Sequence, residues 1–316
     1  MARYIVGAYA ASPCKDGWDP ELEGRYFAAL DEAGIVSGLE LPFVGTLHAN
    51  DPDWLIRNIR PHWSIVLTEI PGTMGRLGKD AEFGLASSSE AGRTRAVEFS
   101  AATREAVDRL HQGLGRRAVT AVEIHSAPRP AASAEPSAEA FRRSLDTLRS
   151  WDWQGAALSV EHCDRFVPGQ KPEKGFLSID AEIAAIRGSQ GGTPIGLSVN
   201  WGRSAIEARD AGVPLLHLKQ AKDEGVLNGL IFSGAAAKDP VYGDWTDKHA
   251  PFAAGEGEGG LLLTPARAKE CLAAVKGAKL AFLGFKVQPM PKDLTVEQRI
   301  EVFKKTAAIL DAQGAA

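Results

Sequence analysis

Four adjacent residues that can bind a metal or move a proton follow a short apolar run. Residues 159–169 read SVEHCDRFVPG, with Glu161, His162, Cys163 and Asp164 directly after the run AALSV. Carboxylates, imidazoles and thiolates are common protein ligands of divalent metals, and carboxyl and imidazole groups are common acids and bases. A buried strand that ended here would deliver these groups to the edge of a sheet. The stretch therefore predicts a site for acid–base or metal chemistry.

Similar groups stand at the ends of most other predicted strands. Eight short β-prone runs are predicted as strands, and they cover 4–10, 36–43, 64–70, 118–127, 156–162, 194–200, 226–234 and 280–287. Seven of the eight ends carry hydrogen-bonding or ionisable groups, which are Glu40, Glu69, Glu123, His125, Glu161, Asn200, Trp201, Ser233 and Lys286. Side chains two apart in a strand share a face, so Glu123 and His125 are expected to point the same way, as are Glu161 and Cys163. His162 has the opposite parity and is predicted to pack toward the helices.

Helical segments separate these runs, and several carry start signals. Capping-box spacing is present in three pairs, which are Ser87 with Glu90, Ser204 with Glu207, and Thr295 with Gln298. Thr264 before Pro265 predicts another helix start. The longest predicted helix covers 91–115, where apolar residues recur at spacings of three and four.

Eight β–α alternations in one chain predict a single (β/α)8 TIM-barrel domain over residues 1–316. A doubly wound open sheet is the alternative, but no GxGxxG follows the first strand, so no nucleotide cofactor is expected. The Ala/Pro/Ser-rich stretch 126–141 is interpreted as a loop after strand four rather than a linker. GEGEGG (255–260) is interpreted as a flexible turn, because its glutamates would repel a phosphate.

Composition restricts the classes of partner. The chain has 316 residues and a formal net charge of −4, which gives no electrostatic reason to expect nucleic acid or an anionic membrane. No apolar stretch approaches the roughly 18 residues that span a bilayer. Three widely spaced cysteines without a CxxC pattern favour a reducing cytoplasm. The expected partner is a small molecule, and the oligomeric state stays open.

Four motifs carry a resemblance to a known group. They are GLELPF with Glu40, VEIHSAP with His125, LSVEHCD with Glu161, and DKHAPFAAGEGEGG before the last barrel helix. In these pieces the chain resembles the xylose-isomerase-like TIM-barrel superfamily, which includes sugar isomerases, epimerases and AP endonuclease 2-like proteins, and in particular a bacterial branch of it. The resemblance implies a carbohydrate or sugar-acid substrate.

The resemblance also implies a divalent metal (Mn, Mg, Co or Zn) and a pair of glutamates that shuttle a proton between adjacent sugar carbons. Glu161 matches the family's metal ligand at the end of strand five. Asn200 stands where the family often has an aspartate, and Lys286 stands where it has a glutamate. These two changes remove about two negative charges from a site that would hold a hard cation, which weakens the expectation of a metal.

Residue roles follow as hypotheses. The expected catalytic residues are Glu161, His125, Lys286 and Glu40, and the expected substrate-binding residues are Glu69, Glu123, Asn200, Trp201, Arg203 and His249. A sugar isomerase or epimerase is the first interpretation. The alternatives are a glycoside hydrolase, a Schiff-base lyase that uses Lys286, and a non-catalytic sugar-binding barrel. Cys163 is expected to be buried, and Asp164 to hold a neighbouring arginine or loop.

Overall fold

The eight predicted strands form a closed parallel barrel in sequence order, which confirms the TIM-barrel prediction. The structure is a computed structural model that describes residues 4–131, 134–254 and 260–315. The strands are β1 (Tyr4–Val6), β2 (Val36–Pro42), β3 (Ser64–Thr68), β4 (Val119–Ile124), β5 (Ala157–His162), β6 (Ile195–Asn200), β7 (Leu227–Phe232) and β8 (Phe282–Phe285).

Helices surround the barrel and connect successive strands. They are α1 (Pro20–Glu32), α2 (Pro52–Asn58), α3 (Ile70–Leu77), α4 (Glu90–Leu114), α5 (Ala138–Arg149), α6 (Ile179–Gly188), α7 (Trp201–Ala208), α8 (Val213–Asp223), α9 (Pro265–Val275) and α10 (Val296–Leu310). Within the described ranges, no helix is long and apolar enough to cross a membrane. The stretch after β4 is a loop, but it ends at the start of α5 at Ala138 rather than at residue 141 as predicted, and 132–133 lie outside the described residues. The predicted turn at 255–260 also lies outside them, except for its last residue.

The first strand is shorter than predicted. It ends at Val6 rather than at residue 10, and Ala8–Ala11 form a 3-10 turn. Gly7 leaves the extended conformation with φ −75° and ψ 60°, and it allows a close approach to Lys286, because a Cβ at this position would lie 2.7 Å from Cγ of that residue. The turn directs Tyr9 over the barrel, where its hydroxyl group donates a hydrogen bond to Glu40.

Two of the four predicted helix starts are confirmed. Thr295 and Gln298 form a reciprocal capping box, and Thr264 caps α9 before Pro265. The other two were wrong. Ser89 rather than Ser87 caps α4, because Ser87 lies in a bridge to the loop before α5. Ser204 lies inside α7, which begins earlier because the Asn200 side chain accepts a hydrogen bond from the Arg203 amide.

Inward-facing side chains change from apolar to polar along the barrel axis. Ile5, Val66, Ala121, Ile231 and Phe282 form a separate apolar cluster inside the barrel. Closer to the carboxyl ends, polar groups take the inward positions, which are Glu40 on β2, Glu123 on β4, Glu161 on β5 and Lys286 directly after β8. The apolar layer closes one end of the barrel, so the carboxyl ends of the strands hold the buried charges.

Candidate active site

A cluster of buried charges lies inside the carboxyl end of the barrel, and we call it the barrel centre. Its carboxylates are Glu40, Glu123 and Glu161, and its cations are Arg203 and Lys286. Each of these side chains is at most 2% exposed. Isolated charges are too costly to bury, so the stability of this cluster depends on how the charges are paired.

Glu161 accepts hydrogen bonds from His125 and Asn200 and forms an ion pair with Arg203. His125 Nε2 lies 2.8 Å from Oε2, Asn200 Nδ2 lies 3.1 Å from Oε1, and Arg203 Nη1 lies 2.5 Å from Oε2. Burial alone would raise the pKa of Glu161, but Arg203 and His125 outweigh it and hold that pKa well below its usual range. Glu161 is therefore ionised and fixed in place.

Lys286 pairs with Glu40 on the opposite side of the barrel centre. Nζ lies 2.5 Å from Glu40 Oε1, and the Tyr9 hydroxyl donates to the same oxygen at 3.1 Å. Burial would lower the pKa of Lys286, but Glu40 reverses this effect and raises that pKa well above its usual range. Burial raises the pKa of Glu40 although Lys286 acts in the opposite direction. Glu40 Oε2 has no hydrogen-bond partner among the described residues.

Glu123 differs from the other two carboxyls because it has no cationic partner among the described residues. It accepts a hydrogen bond from Ser198 Oγ at 3.0 Å, and its other oxygen is unpaired within the described structure. Burial, followed by repulsion from Glu161 and Glu40, raises the pKa of Glu123 well above its ordinary value. One carboxyl in this cluster is thus kept neutral while a neighbour is kept charged, a pattern that assigns acid and base roles in enzymes.

Asp247 connects the barrel centre to two loops. It accepts contacts from Arg203 Nε at 3.0 Å, Lys174 Nζ at 2.8 Å and His249 Nδ1 at 3.3 Å. Burial lowers the pKa of His249 to about 3, so the imidazole is neutral. Ser233 Oγ also contacts Nδ1 of His249, at 2.8 Å. Because serine and aspartate meet the same ring nitrogen, these three residues do not form a nucleophilic triad, which needs both nitrogens.

Most sequence-predicted site residues meet at the barrel centre, but two do not. Glu69 faces helix α4, where Oε2 accepts a hydrogen bond from Ser100 at 3.0 Å. Trp201 is fully buried in the main core on α7 and lies against Cys271. Neither side chain reaches the space that the inward-facing charges surround.

Three residues that contact or extend the barrel centre, Tyr9, Lys174 and Asp247, were missed by the sequence analysis. Tyr9 was placed in an extended strand, whereas Lys174 and Asp247 lie in loops without a strand-end signal. The acidic Asp247 two residues before His249, in WTDKHAPF, was the available indication.

Neighbouring positions behave as expected. Cys163 is buried, and Asp164 holds the following loop by accepting hydrogen bonds from the amides of Glu173, Lys174 and Gly175. His162 faces the helices, as its strand parity predicted, and contacts Glu182 on α6.

His125, Glu161 and Cys163 offer metal-ligand atoms that all lie within 4.8 Å of one another. Arg203 Nη1 occupies this space, at 2.5 Å from Glu161 Oε2 and 3.4 Å from Cys163 Sγ. Burial raises the pKa of the Cys163 thiol well above its usual value, whereas a metal requires the thiolate. An ion would have to displace a buried guanidinium from its carboxylate, so these residues do not fit a metal as they are arranged.

An apolar cavity of about 210 Å³ adjoins the barrel centre. It lies between α1, β2 and the loop that follows β2, and Tyr9 forms part of its wall. Glu23 and His48 also line it, and they contact each other at 3.3 Å. Tyr9 is thus shared between the cavity and the carboxylate of Glu40.

Solved structures of low sequence identity share this fold. A putative xylose isomerase from Rhodospirillum rubrum superposes with a TM-score of 0.65 at 12% identity over 99% of both chains. The IolI protein, whose crystal structure holds a zinc atom, superposes with a TM-score of 0.62 at 13% identity over 100% of both chains. A 3-keto-D-glucoside 4-epimerase from E. coli gives a TM-score of 0.56 at 11% identity over 99% of both chains. The resemblance to xylose-isomerase-like barrels is confirmed at the level of the fold.

Sequence relatives cover nearly the whole chain. The uncharacterized protein STM3670 of Salmonella typhimurium is 35% identical over 302 residues, which are 95% of this chain and 94% of that protein. The family described as "Domain of unknown function (DUF4862)" matches residues 5–302. On these two matches, the chain belongs to the DUF4862 family, and its fold is that of the xylose-isomerase-like barrels.

Proposed function

We propose that this chain is a sugar epimerase or isomerase that moves a proton on a carbon next to a sugar carbonyl, with Arg203 and Lys286 in place of a divalent metal. The observation that carries the proposal is the pair of buried cations among three carboxyls of unequal acidity. The fold is shared with sugar epimerases and isomerases, which supports this class of reaction.

The two cations would supply the main electrostatic stabilisation. Removal of a proton next to a carbonyl places negative charge on the carbonyl oxygen, and fixed positive charge in a dry site lowers the energy of that state. Lys286 and Arg203 are both fully charged and held by carboxylates. The substrate oxygen would share these cations with Glu40 and Glu161.

Glu40 suits the role of base. Burial raises its pKa, and Oε2 is unpaired within the described structure, so a lone pair is available to a ligand. It would take the proton from the carbon, the electron pair of the C–H bond would form a C=C bond, and the carbonyl electron pair would move to oxygen. General bases work best when their pKa lies near the working pH.

Glu123 suits the role of acid, because it is held neutral and has one unpaired oxygen in the described structure. Return of its proton to the opposite face of the same carbon would reform the carbonyl and invert that centre. Glu161, His125 and Asn200 would act as positioning residues, since His125 and Asn200 fix Glu161 by hydrogen bonds and Glu161 holds Arg203 by an ion pair.

A Schiff-base lyase is less well supported than proton transfer. Imine formation needs an uncharged amine, whereas the ion pair with Glu40 raises the pKa of Lys286 well above its ordinary value. No contact in the described structure favours the glycoside hydrolase or the non-catalytic barrel over this proposal.

The test is hydrogen exchange at carbon. The protein is incubated in D₂O with a panel of ketoses, keto-glycosides and keto sugar acids, some of which carry an aryl or alkyl group sized for the cavity beside Tyr9. NMR then measures loss of the proton next to the carbonyl. We expect exchange with at least one member, with a rate that falls by about 100- to 10,000-fold in Glu40→Gln.

Lys286→Met is the matched test of the oxygen-stabilising charge. It keeps the length of the side chain and removes the ammonium, so exchange is expected to fall by about 100- to 1,000-fold. Exchange that survives Glu40→Gln and Lys286→Met unchanged would contradict the assigned roles. A panel that gives neither exchange nor thermal stabilisation of the protein would contradict the proposed function itself.

A further inference from the structure

We propose that His162, Glu207 and His217 form a binding site for a zinc-class divalent ion on the outer face of β5. We call these three residues the outer cluster. It lies between the barrel wall and helices α7 and α8, and it is separate from the barrel centre. His162 ends β5, Glu207 lies on α7 and His217 lies on α8, so an ion here would join three elements of the fold.

The ligand atoms are spaced for a tetrahedral ion. All three lie within 4.8 Å of one another. His162 Nε2 is 3.1 Å from Glu207 Oε2, and His217 Nε2 is 3.7 Å from Glu207 Oε1. Zinc bound to nitrogen and oxygen at about 2.0–2.2 Å holds its ligands at about these separations from one another. Two imidazoles and one carboxylate are also a zinc ligand set that leaves a position for water.

The remaining ring nitrogens have partners that orient both rings. Nδ1 of His162 contacts Glu182 Oε2 at 2.6 Å, and Nδ1 of His217 contacts Ser204 Oγ at 3.0 Å. Both Nε2 atoms are therefore directed at the Glu207 carboxylate. Histidines that bind metals usually have such a second partner on the other nitrogen, and a carboxylate in this role makes the ring a stronger ligand.

The charge and accessibility of the outer cluster also fit an ion. Binding would displace the proton that His162 Nε2 shares with Glu207, and that proton would leave to solvent. Arg165 covers the carboxylate through its backbone amide at 2.9 Å and Nε at 3.1 Å, but its side chain is 46% exposed. Rotation of this exposed side chain would open a path. In the barrel centre, by contrast, Arg203 is 2% exposed and itself occupies the space of the ion.

The experiment uses the 316-residue chain, stripped with a chelator and then loaded with zinc alone. Elemental analysis after desalting is expected to give about one zinc per chain. His217→Asn keeps a polar atom beside Ser204 but removes Nε2, and it is expected to weaken zinc binding by at least tenfold. Cys163→Ser is the matched control on the inner face and is expected to keep the zinc.

Cobalt provides a readout that does not depend on a variant. Cobalt in the outer cluster should give the visible bands of a tetrahedral ion without a thiolate charge-transfer band, because no cysteine belongs to this ligand set. A thiolate band, zinc lost from Cys163→Ser, or zinc retained by His217→Asn would place the ion elsewhere and overturn the proposal. Absence of bound zinc in the loaded wild-type protein would overturn it as well.

Discussion

Two adjacent residues of β5, Glu161 and His162, begin two buried clusters on opposite faces of the barrel wall. On the inner face, Glu161 meets a guanidinium and an imidazole. On the outer face, His162 lies between two carboxylates, Glu182 and Glu207. The inner carboxylate has a pKa well below its usual value, whereas the outer imidazole has its pKa raised to about 10 because Glu182 and Glu207 outweigh the effect of burial.

The difference between the clusters is the origin of the positive charge. Arg203 supplies it permanently on the inner face, because a guanidinium does not lose its proton. On the outer face an imidazole supplies it, and an imidazole can give up its proton to a metal. Similar ligand types therefore lead to a preorganised electrostatic site on one side and to a metal site on the other.

The largest combined loss of activity and stability is expected for Arg203→Ser. Loss of the guanidinium leaves Glu161 without its main cation and leaves Asp247 with Lys174, so the carbon-exchange rate should fall by about 100- to 1,000-fold. The free energy of unfolding should fall by about 3–5 kcal/mol, because buried carboxylates lose their partner. The exchange assay and denaturant unfolding measure the two effects.

The same substitution should convert the inner cluster into a metal site. Two proteins are compared, the single variant His217→Asn and the double variant His217→Asn/Arg203→Ser. We expect the double variant to bind one zinc at His125, Glu161 and Cys163. The single variant is expected to bind none. Elemental analysis of the two proteins makes this comparison. If neither binds zinc, the guanidinium is not what prevents a metal from binding in the barrel centre.

The next effect concerns the outer cluster in the absence of metal. His162→Gln leaves Glu182 and Glu207 without their shared cation, so the free energy of unfolding should fall by about 3–5 kcal/mol near pH 6.5. The folded pKa of His162 lies above its unfolded value, so its contribution is complete below about pH 6.5 and is lost as the pH rises through about 10. The difference in the free energy of unfolding between wild type and variant should therefore decrease toward pH 10.

The control for this substitution is His62→Gln, since His62 is 48% exposed and meets Asp31 at the surface. This substitution should change the free energy of unfolding by less than about 0.5 kcal/mol, both near pH 6.5 and near pH 10. If the difference in the free energy of unfolding between wild type and His162→Gln does not change with pH, His162 is not charged in the folded protein.

Glu69→Gln should stabilise the protein at alkaline pH. Burial raises the pKa of Glu69 to about 7, so the folded state holds this carboxyl neutral and opposes its ionisation. Relative to wild type, the variant should gain about 2–3 kcal/mol at pH 8 and almost nothing below pH 4.5, where the carboxyl is protonated in both states. Denaturant unfolding at both pH values checks this, with Glu98→Gln at an exposed position of α4 as control.

A smaller effect is expected for Gly7→Ala. The new Cβ would lie 2.7 Å from Lys286 Cγ, so the lysine stem must shift and the ammonium must move relative to Glu40. Misplacement of this kind costs about 10- to 100-fold in rate. Gly75→Ala, where a Cβ meets nothing within 4 Å, is the control. Equal exchange rates in the two variants would show that the position of Lys286 does not limit the reaction.

Strand ends were predictable because parallel strands deliver their inward residues to one end of the barrel. Strand order was enough to bring His125 and Glu161 to neighbouring strand ends, and strand parity was enough to predict that His162 faces outward. The interpretation of Asn200 and Lys286 as replacements of metal-binding carboxylates stays a prediction.

Contacts made by loops and helices were not predictable in this way. Arg203 was expected to bind substrate, but its pairing with Glu161 depends on α7 starting at Trp201, four residues before the position that the Ser204 signal implied. Asp247 and Lys174 meet across two long loops, and local sequence does not determine such distances. The outer cluster was not predictable because it depends on how α7 and α8 pack against β5. No short sequence motif joins His162 to His217.

The most direct measurement is the metal dependence of carbon exchange in the wild-type protein. With a keto sugar that exchanges in D₂O, the rate is compared before and after complete chelation and again after addition of manganese, cobalt, magnesium or zinc. The account predicts a rate that chelation and added metals change by less than about twofold, because Arg203 and Lys286 carry the charge. Exchange that disappears on chelation and returns with a divalent ion would contradict it.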